Sequence, residues 1–519
     1  MRHRIGLVYV SGALPCFESF GNLPTDLVHK DALIDGRPAS EVLDLIIIPG
    51  GSLVESQSIN PPIQKEIVKM ADSGKFVLGI CSGFQILSNA TDIGRLSSTP
   101  ILRKGLGLLD VEFEPLICTD HVVAEVIGKS FVTDKIGGTV TGFHCHTYGK
   151  IVPSKNARPI IVSHIKRVNY RSNPQDFVSG FSNKKGNVVG ILTHRLLDEN
   201  PAIVQSVMKS LDISSEDFKK IRTVNSQLIQ KLKNEIGVST NVHPEKQLPH
   251  PTQVPSLLFT SATGSGSGKT FIVTGVAGAL KRRGINLGLL KIGGDIRDIV
   301  PALYLTKEPM KNYSSIQVAS SGWMSMFDSV EKASKDYDFL VIEGAMGPFT
   351  GFLNETVKRP ASTAEIAAAL GVPTVLVVAC DKAGIEGAIV TALNYVHVMK
   401  TLGIKVVGII LNKVHTSYFT SEIKKFVTTA FRKVGVELLG VIPKIQLEGR
   451  GAIPEIEIKY EEFGAKAIQN IEQFLDLDAL LRLSAPPVRS SISYETVLNK
   501  FKLLLDTCYP FNEKIKDTG

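Results

Sequence analysis

The stretch that most constrains the fold of this chain is Ser261–Thr270, which reads Ser-Ala-Thr-Gly-Ser-Gly-Ser-Gly-Lys-Thr. It follows a short apolar run and precedes a segment with helical character. Strand, glycine-rich turn and helix is the order of phosphate-binding loops, in which backbone N–H groups at a helix N-terminus attract an anion. We expect Gly264, Gly266 and Gly268 to let the backbone approach a polyphosphate closely. The sequence therefore predicts a nucleoside triphosphate site.

Two side chains at the end of this loop have predicted roles. Lys269 supplies a positive charge for the β- and γ-phosphates, and Thr270 supplies a hydroxyl for Mg²⁺. The usual pattern has glycine six residues before the lysine, where this chain has Thr263, so the loop is a variant. A glycine/serine-rich linker is the alternative interpretation, but linkers rarely lie between an apolar strand and a helix.

Length and charge narrow the class of protein. With 519 residues, 43% of them hydrophobic, the chain is predicted to hold two to four globular domains. The net charge of +8 is spread without a dense run of lysine and arginine. This distribution favours an anionic small-molecule substrate and disfavours nucleic acid as a partner.

The cysteines and the apolar segments predict the compartment. The six cysteines lie far apart without a C-x-x-C pair, which argues against a zinc site and a disulfide framework. The N-terminus leads into an apolar run of strand length, not a signal peptide, and no apolar segment is long enough to span a bilayer. We expect a cytoplasmic protein without a membrane partner; a homo-oligomer is compatible with the sequence.

Four regions are predicted along the chain. Residues 1–213 and 253–485 are expected to be the two α/β domains. Residues 214–252 read as a linker, with an exposed amphipathic helix followed by a proline-containing tether. Residues 486–519 are expected to form a tail with one amphipathic helix.

Cys81 is the candidate nucleophile of the first domain. It lies in Gly-Ile-Cys-Ser-Gly between a predicted parallel strand and a helix. A sharp strand-to-helix turn holds a side chain out at the carboxyl end of the sheet, and the helix N-terminus favours the thiolate. A buried cysteine acting as a small hydrophobe is the alternative, which the flanking glycines disfavour.

A cysteine nucleophile needs a base and an oxyanion site. His194 follows another predicted strand and is the candidate base. The backbone N–H groups of Gly51 and Ser82 are the candidate oxyanion donors. His144 and His146 are competing histidines; their spacing is compatible with metal binding, but the absence of a second ligand pair disfavours it.

In the second domain apolar strands alternate with helical segments, which predicts a parallel sheet covered by helices. Polar residues follow the strands, where ligands of open α/β sheets bind. They are Lys291 and Asp295 after the second strand, Glu343 after the third, Asp381 after the fourth and Asn412 after the fifth. Each alone could be a turn or cap residue, but five on one edge favour an active site. Asn412 is suited to hydrogen-bond a nucleobase edge.

Phosphoryl transfer suggests roles for the other strand-end residues, because metal and cations neutralise charge on the transferring group. Thr270, Asp295 and Glu343 are the candidate Mg²⁺ ligands. Lys291 is placed to bridge the γ-phosphate and a substrate carboxylate, and Asp381 is a further candidate for substrate or phosphate contact.

Three motifs of the first domain resemble the signatures of class I glutamine amidotransferases. They are Pro49–Gly51, Gly79–Gln85 and Gly190–His194. The resemblance implies that Cys81 is the nucleophile and His194 the base in glutamine hydrolysis. This chain has Leu196 where the wider class has a glutamate that completes a triad. Asp198 and Glu199 are possible substitutes, and a cysteine–histidine dyad is the simpler interpretation.

The second domain resembles the ATP-binding domain shared by dethiobiotin synthetase and the cobyrinic and cobyric acid synthases, most closely that of the cobyrinic acid a,c-diamide synthase family. The segments that carry this resemblance are Leu290–Asp298, Glu343–Gly351, Ser362–Ala367, Gly408–Val414 and Gly440–Pro443. In the first domain, Gly142–Tyr148 resembles an element of the cobyric and cobyrinic acid synthase branch of the amidotransferases. The chain departs from the family at Gly294, where proline is expected, and in its domain order, because the amidotransferase comes first.

The resemblance implies two doubly wound α/β domains, an N-terminal flavodoxin-like amidotransferase and a C-terminal P-loop NTPase-like domain. It implies amidation of carboxylates on an anionic corrin-type tetrapyrrole with glutamine, ATP and Mg²⁺. Cobyric acid synthesis, or amidation of another tetrapyrrole, is the near alternative. A regulatory P-loop ATPase whose amidotransferase domain senses glutamine is an alternative of another class.

Overall fold

The computed structural model describes residues 3–10, 18–52, 59–134, 137–239, 253–262, 264–353, 359–446, 458–488 and 493–508. Two compact units are distinguished. The first contains Met1–Ser239, Asp295–Lys311 and Leu447–Phe463, and the second contains Thr240–Gly294, Asn312–Gln446 and Gly464–Gly519. Thr263 and residues 240–252 of the predicted linker lie outside the described residues. In the part of the chain that is described, no helix combines the length and apolar character needed to cross a membrane.

The first unit is built on a mixed sheet of nine strands in the order β11-β10-β13-β14-β15-β6-β5-β1-β2. Four strands lie at its centre, and every residue of β1, β5 and β15 and all of β6 except Phe76 are buried, as in strands covered on both faces. A second sheet has the order β12-β9-β7-β8, and β3 pairs with β4. The strands are β1 (Ile5–Val8), β2 (Asp26–Val28), β3 (Leu33–Ile34), β4 (Arg37–Pro38), β5 (Leu45–Ile48), β6 (Phe76–Ile80), β7 (Ala90–Asp92), β8 (Leu102–Lys104), β9 (Val111–Glu114), β10 (His121–Val126), β11 (Thr139–Phe143), β12 (Lys150–Pro153), β13 (Arg158–Val168), β14 (Arg171–Ser182) and β15 (Val188–Ile191).

The helices of the first unit flank these strands. They are α1 (Ala39–Val42), α2 (Pro61–Asp72), α3 (Ser82–Leu87), α4 (Leu196–Glu199), α5 (Pro201–Ser210), α6 (Ser215–Glu235) and α8 (Val300–Thr306), with 3₁₀ turns at Phe20–Asn22 and Ile296–Ile299. Helix α6 is the amphipathic helix predicted for the linker. The Ser214 side chain caps it by accepting from the backbone N–H of Asp217.

The second unit is a seven-stranded sheet in the order β18-β17-β19-β16-β20-β21-β22, and every pairing in it is parallel. The strands are β16 (Ser256–Ser261), β17 (Leu287–Ile292), β18 (Ser315–Ile316), β19 (Phe339–Glu343), β20 (Thr374–Ala379), β21 (Val406–Val414) and β22 (Glu437–Pro443). The helices are α7 (Lys269–Arg282), α9 (Met326–Asp336), α10 (Thr363–Leu370), α11 (Gly384–Thr401), α12 (Ser421–Lys433), α14 (Leu477–Leu483) and α15 (Tyr494–Cys508), with a 3₁₀ turn at Thr416–Tyr418; α13 (Tyr460–Phe474) begins among residues of the first unit and ends among those of the second.

The predicted fold class is confirmed, because both units are α/β structures with parallel strands at their centre. The sequence analysis did not predict the antiparallel half of the first sheet. Strands β13 and β14 form a long hairpin with many exposed positions, so they lack the continuous apolar runs that identify buried parallel strands.

Candidate active site

Cys81 lies at the sharp turn between β6 and α3. Its φ of 51° and ψ of −110° are a conformation that residues with a side chain rarely adopt, and such conformations concentrate at functional sites. The backbone N–H of Cys81 donates to the carbonyl of Ile191 at 2.8 Å, which ties the turn to β15. The thiol donates to the carbonyl of Cys145 at 3.6 Å. The structure thus has the sharp strand-to-helix turn that the sequence predicts at Cys81.

His194 lies just beyond the end of β15, with 1% of its side chain exposed. Its Nδ1 is 3.1 Å from Oε1 of Glu18, whose side chain is also 1% exposed. The second oxygen of Glu18 accepts from the backbone N–H of Arg195 at 3.1 Å. The imidazole also stacks on Phe143, with ring centres 5.2 Å apart. Glu18 therefore orients His194 with Nδ1 toward the carboxylate.

The charges of Cys81 and Glu18 act together on His194. Burial alone disfavours the imidazolium, but the charges and hydrogen bonds of Cys81 and Glu18 outweigh it and raise the pKa of His194 to about 10. Burial raises the pKa of the Glu18 carboxyl, and the hydrogen bond from His194 acts against that shift. A cysteine beside a histidine that a buried carboxylate orients is the arrangement that an activated cysteine nucleophile needs.

The acids that the sequence analysis considered as orienters bind elsewhere in the structure. Asp198 accepts the backbone N–H groups of Ser19 and Gly21 at 2.7 and 2.8 Å, so it holds the loop that carries Glu18. Glu199 accepts from the guanidinium of Arg195 at 3.1 Å. Sequence reasoning missed Glu18 because 176 residues separate it from His194. Its only signal is its position after the first parallel strand.

The loop after β5 places Gly50 against the side chains of Cys81 and His194. A Cβ added to Gly50 would lie 2.6 Å from Cε1 of His194 and 3.2 Å from Cβ of Cys81, so only glycine fits there without a shift. Gly51 follows directly, and Ser82 is the first residue of α3. These are the two positions predicted for the oxyanion donors.

His144 and His146 form a separate buried pair. Nε2 of His146 lies 3.2 Å from Nδ1 of His144, and Nδ1 of His146 lies 3.2 Å from the carbonyl of Leu116. Burial lowers the pKa of His146 to about 3 and that of His144 well below its usual value. A histidine with so low a pKa is a poor proton acceptor at neutral pH. Among the described residues, no group of three His, Cys, Asp or Glu side chains is arranged to hold a metal.

Replacing Glu18 with glutamine is expected to lower the kcat of glutamine hydrolysis roughly a hundredfold or more, since the buried acid of such a triad orients the base and stabilises its charge. Loss of the negative charge also destabilises the imidazolium. The pKa of His194 therefore falls, and the alkaline limb of the activity–pH profile moves to lower pH. Glu66→Gln is the matched control, because that buried carboxylate binds Ser40 and Lys69. An unchanged profile in Glu18→Gln would contradict this role.

The phosphate-binding loop of the second unit joins β16 to α7. Gly264, Gly266 and Gly268 have φ of 74°, 81° and 83°, values that glycine adopts without strain. Two side chains of β21 support the loop. Asn412 donates from Nδ2 to the carbonyl of Ser267 at 2.8 Å, and Lys413 donates to the carbonyl of Gly266 at 2.6 Å. In this structure the amide of Asn412 therefore holds the loop itself.

Glu343, at the end of β19, is the centre of the charged cluster beside this loop. Its Oε1 accepts from Lys269 at 3.0 Å, from the hydroxyl of Thr270 at 3.0 Å and from Lys291 at 3.4 Å. Burial would raise the pKa of Glu343, but the charges and hydrogen bonds of the lysines and Thr270 outweigh it and lower the pKa below its usual value. Three predicted site residues thus meet around the buried carboxylate of a fourth, Glu343.

The cluster fits a divalent cation. The second oxygen of Glu343, Oε2, is fully buried and has no hydrogen-bond partner among the described residues, and a buried carboxylate oxygen without a partner is costly. The other oxygen of the same carboxylate, Oε1, accepts from the Thr270 hydroxyl. Carboxylate and hydroxyl oxygens are ligands that Mg²⁺ takes.

The remaining predicted residues have other partners. Both oxygens of Asp295 accept from the Arg297 guanidinium, at 2.8 and 2.9 Å, within the first unit. Asp381 lies after β20, with Oδ2 3.6 Å from Nζ of Lys413 and 3.9 Å from Nζ of Lys444. Oδ1 of Asp381 is buried and has no hydrogen-bond partner in the part of the chain that the structure describes.

Two segments of the chain match models of known protein families. Residues 17–202 match the family model described as a CobB/CobQ-like glutamine amidotransferase domain. Residues 302–449 match a model described as an AAA domain. Residues 17–202 are therefore similar to glutamine amidotransferase domains of the CobB/CobQ type, and residues 302–449, which follow them in the chain, are similar to AAA domains.

Several curated proteins that are similar to this chain are a,c-diamide synthases. Cobyrinate a,c-diamide synthase of Streptococcus sanguinis is 32% identical over 235 residues, which are 43% of this chain and 48% of the relative. The enzyme of the same name from Caldanaerobacter subterraneus is 28% identical over 256 residues, 48% of this chain and 54% of the relative. Hydrogenobyrinate a,c-diamide synthase of Mycobacterium bovis is 31% identical over 191 residues, 36% and 40%. The chain spans about half the length of the curated relatives that it matches.

Proposed function

We propose that this chain is an ATP- and glutamine-dependent amidoligase that converts carboxylates of a corrin-type tetrapyrrole into amides, a reaction of cobalamin biosynthesis. The observation that carries the proposal is the presence, in one chain, of a Cys81–His194–Glu18 site and a phosphate-binding loop with Glu343 beside it. The first site supplies ammonia and the second activates a carboxylate. The names of the curated relatives support the choice of substrate.

In the first step the thiolate of Cys81 attacks the side-chain carbonyl of glutamine. The imidazolium of His194 gives its proton to the departing nitrogen, so that ammonia leaves and a thioester forms. The backbone N–H groups of Gly51 and Ser82 stabilise the negative oxygen. His194 then accepts a proton from water, which hydrolyses the thioester to glutamate. Glu18 holds the imidazole in one orientation throughout.

In the second step the substrate carboxylate attacks the γ-phosphate of ATP, which gives an acyl phosphate and ADP. Ammonia then displaces phosphate to form the amide. Lys269 stabilises charge on the β- and γ-phosphates, while Lys291 bridges the γ-phosphate and the substrate carboxylate. Asp381 contacts the substrate or phosphate, and Asn412 positions the loop and the nucleobase.

Thr270 and Glu343 are the residues that would hold Mg²⁺, whereas both oxygens of Asp295, the third predicted ligand, accept from Arg297 within the first unit. Bound by Thr270 and Glu343, the cation would neutralise charge on the phosphates. We also propose a cytoplasmic location, since the mechanism needs a reduced thiol. Within the described part of the chain, Cys81, Cys118, Cys145 and Cys380 form no disulfide bonds.

Incubation with ATP, glutamine and either cobyrinic or hydrogenobyrinic acid, followed by mass spectrometry, tests this function. We expect amides on the macrocycle that require both ATP and a nitrogen source. Omission of ATP is the control. ATP hydrolysis without amide formation on any tetrapyrrole would instead favour the regulatory ATPase with a glutamine-sensing domain.

A further inference from the structure

One segment of the first unit comes from a distant part of the chain. Asp295–Lys311 belongs to this unit, although the residues before it, Thr240–Gly294, belong to the second. The segment contains a 3₁₀ turn and helix α8, and its backbone pairs with the end of the linker region, where the N–H of Val238 donates to the carbonyl of Leu305 at 2.9 Å. We refer to it as the 295–311 segment.

Arg297 fixes the beginning of this segment. Its guanidinium, 8% exposed, binds both oxygens of Asp295, donates to Oγ1 of Thr147 at 2.7 Å and donates to the hydroxyl of Tyr170. The planar guanidinium donates hydrogen bonds in several directions at once, which the ammonium group of a lysine cannot reproduce. A buried guanidinium with so many partners is held in a single position.

Thr147 connects Arg297 to the nucleophile. Two residues earlier, the carbonyl of Cys145 accepts from the thiol of Cys81 at 3.6 Å. His146, which lies between them, exchanges backbone hydrogen bonds with Cys118 at 3.1 and 3.0 Å. Arg297 therefore holds the residue two positions from the carbonyl that accepts from the Cys81 thiol.

The far end of the segment contacts the histidine side of the site. The guanidinium of Arg195 donates to the carbonyl of Met310 at 2.7 Å. Arg195 follows His194 directly, has a left-handed φ of 59° and donates its backbone N–H to Glu18. The conformation of Arg195 thus affects both the base and the acid that orients it.

We propose that the 295–311 segment completes the glutaminase site, with Arg297 as a positioning residue on the Cys81 side and the Met310 carbonyl as a positioning group on the His194 side. The proposal rests on the glutaminase half of the proposed function. Neither group touches the reacting atoms. Because Arg297 follows Lys291 by only six residues in the chain, the completed site depends on residues that come after the phosphate-binding loop.

The test is glutamate release from glutamine by the full chain, without tetrapyrrole, for wild type, Arg297→Ala and Arg297→Lys. We expect kcat to fall roughly ten- to a hundredfold in Arg297→Ala while KM changes much less, and Arg297→Lys to recover only part of the loss. Arg37→Ala is the matched control, because that arginine lies at the surface, 3.6 Å from Glu41. Ammonium-dependent synthesis is expected to remain.

A purely structural role of Arg297 would change the measured activities in a different way. It predicts equal proportional losses of glutamine-dependent and ammonium-dependent synthesis, and that result would overturn the proposal, as would wild-type glutamate release by Arg297→Ala. If Arg297→Ala does not fold, Arg195→Gln removes the bond to Met310 while keeping Arg297, and we expect kcat to fall there also; an unchanged kcat would overturn the positioning role of Met310. Absence of glutamate release by the wild type would contradict the proposed function itself.

Discussion

Replacing Cys81 with alanine is expected to abolish amide formation from glutamine, by about a thousandfold or more, while amide formation from added ammonium continues. The thiol is the attacking group of glutamine hydrolysis, and no other described thiol lies at a comparable turn: Cys118 and Cys380 are buried, and burial raises the pKa of each to about 12. Amide formation from the acyl phosphate needs only ammonia, so the reaction with added ammonium is unaffected. The measurement is product formation with each nitrogen source.

The matched control for Cys81→Ala is Cys118→Ala, which removes another buried thiol from the same unit. We expect this control to use glutamine. Loss of both activities in Cys81→Ala would mean that the thiol has a structural role or that ammonia use depends on an intact first site. Glutamine-dependent synthesis in Cys81→Ala would remove Cys81 from the mechanism.

Replacing Glu343 with glutamine is expected to stop synthesis with either nitrogen source. It removes the negative charge that accepts hydrogen bonds from Lys269, Lys291 and Thr270. It also removes the anionic oxygen that we assign to the Mg²⁺ site, on which phosphoryl transfer depends. We expect a loss of roughly a hundredfold or more, since two buried cations lose their partner. Glutamine hydrolysis at Cys81 is expected to persist.

Glu365→Gln is the matched control for Glu343→Gln. Glu365 is also a buried carboxyl of the second unit, but it caps helix α10 through Ser362 and Ala361, and burial raises its pKa. Its neutral replacement should therefore be tolerated. Near-normal amide formation by Glu343→Gln, with ATP and ammonium, would make Glu343 a strand-end cap and contradict the metal assignment.

Local sequence could predict those parts of the site in which a few consecutive residues define both the backbone conformation and the functional side chain. The turn at Cys81 and the loop ending at Lys269 are of this kind, because glycines and flanking apolar strands specify their geometry. The clustering of Lys291 and Glu343 also follows from local signals, since parallel strands end at one edge of a sheet.

Contacts between distant residues could not be predicted in this way. Glu18 reaches His194 from the loop before β2, and nothing in its neighbourhood distinguishes it from a surface acid. Arg297 lies in a stretch that reads as the continuation of a nucleotide-binding strand, yet it binds Thr147 in the first unit. Hydrophobic periodicity identifies strands and helices but does not say which distant side chains meet.

The most direct test of the account is to follow the side-chain nitrogen of glutamine. Wild-type protein would be given ATP, a corrin-type polycarboxylate and glutamine labelled with nitrogen-15 in its amide, and the macrocycle analysed by mass spectrometry. We predict nitrogen-15 in new carboxamides of the macrocycle, dependent on ATP and absent in Cys81→Ala. Release of labelled ammonia and hydrolysis of ATP without labelled amide on the macrocycle would contradict the account.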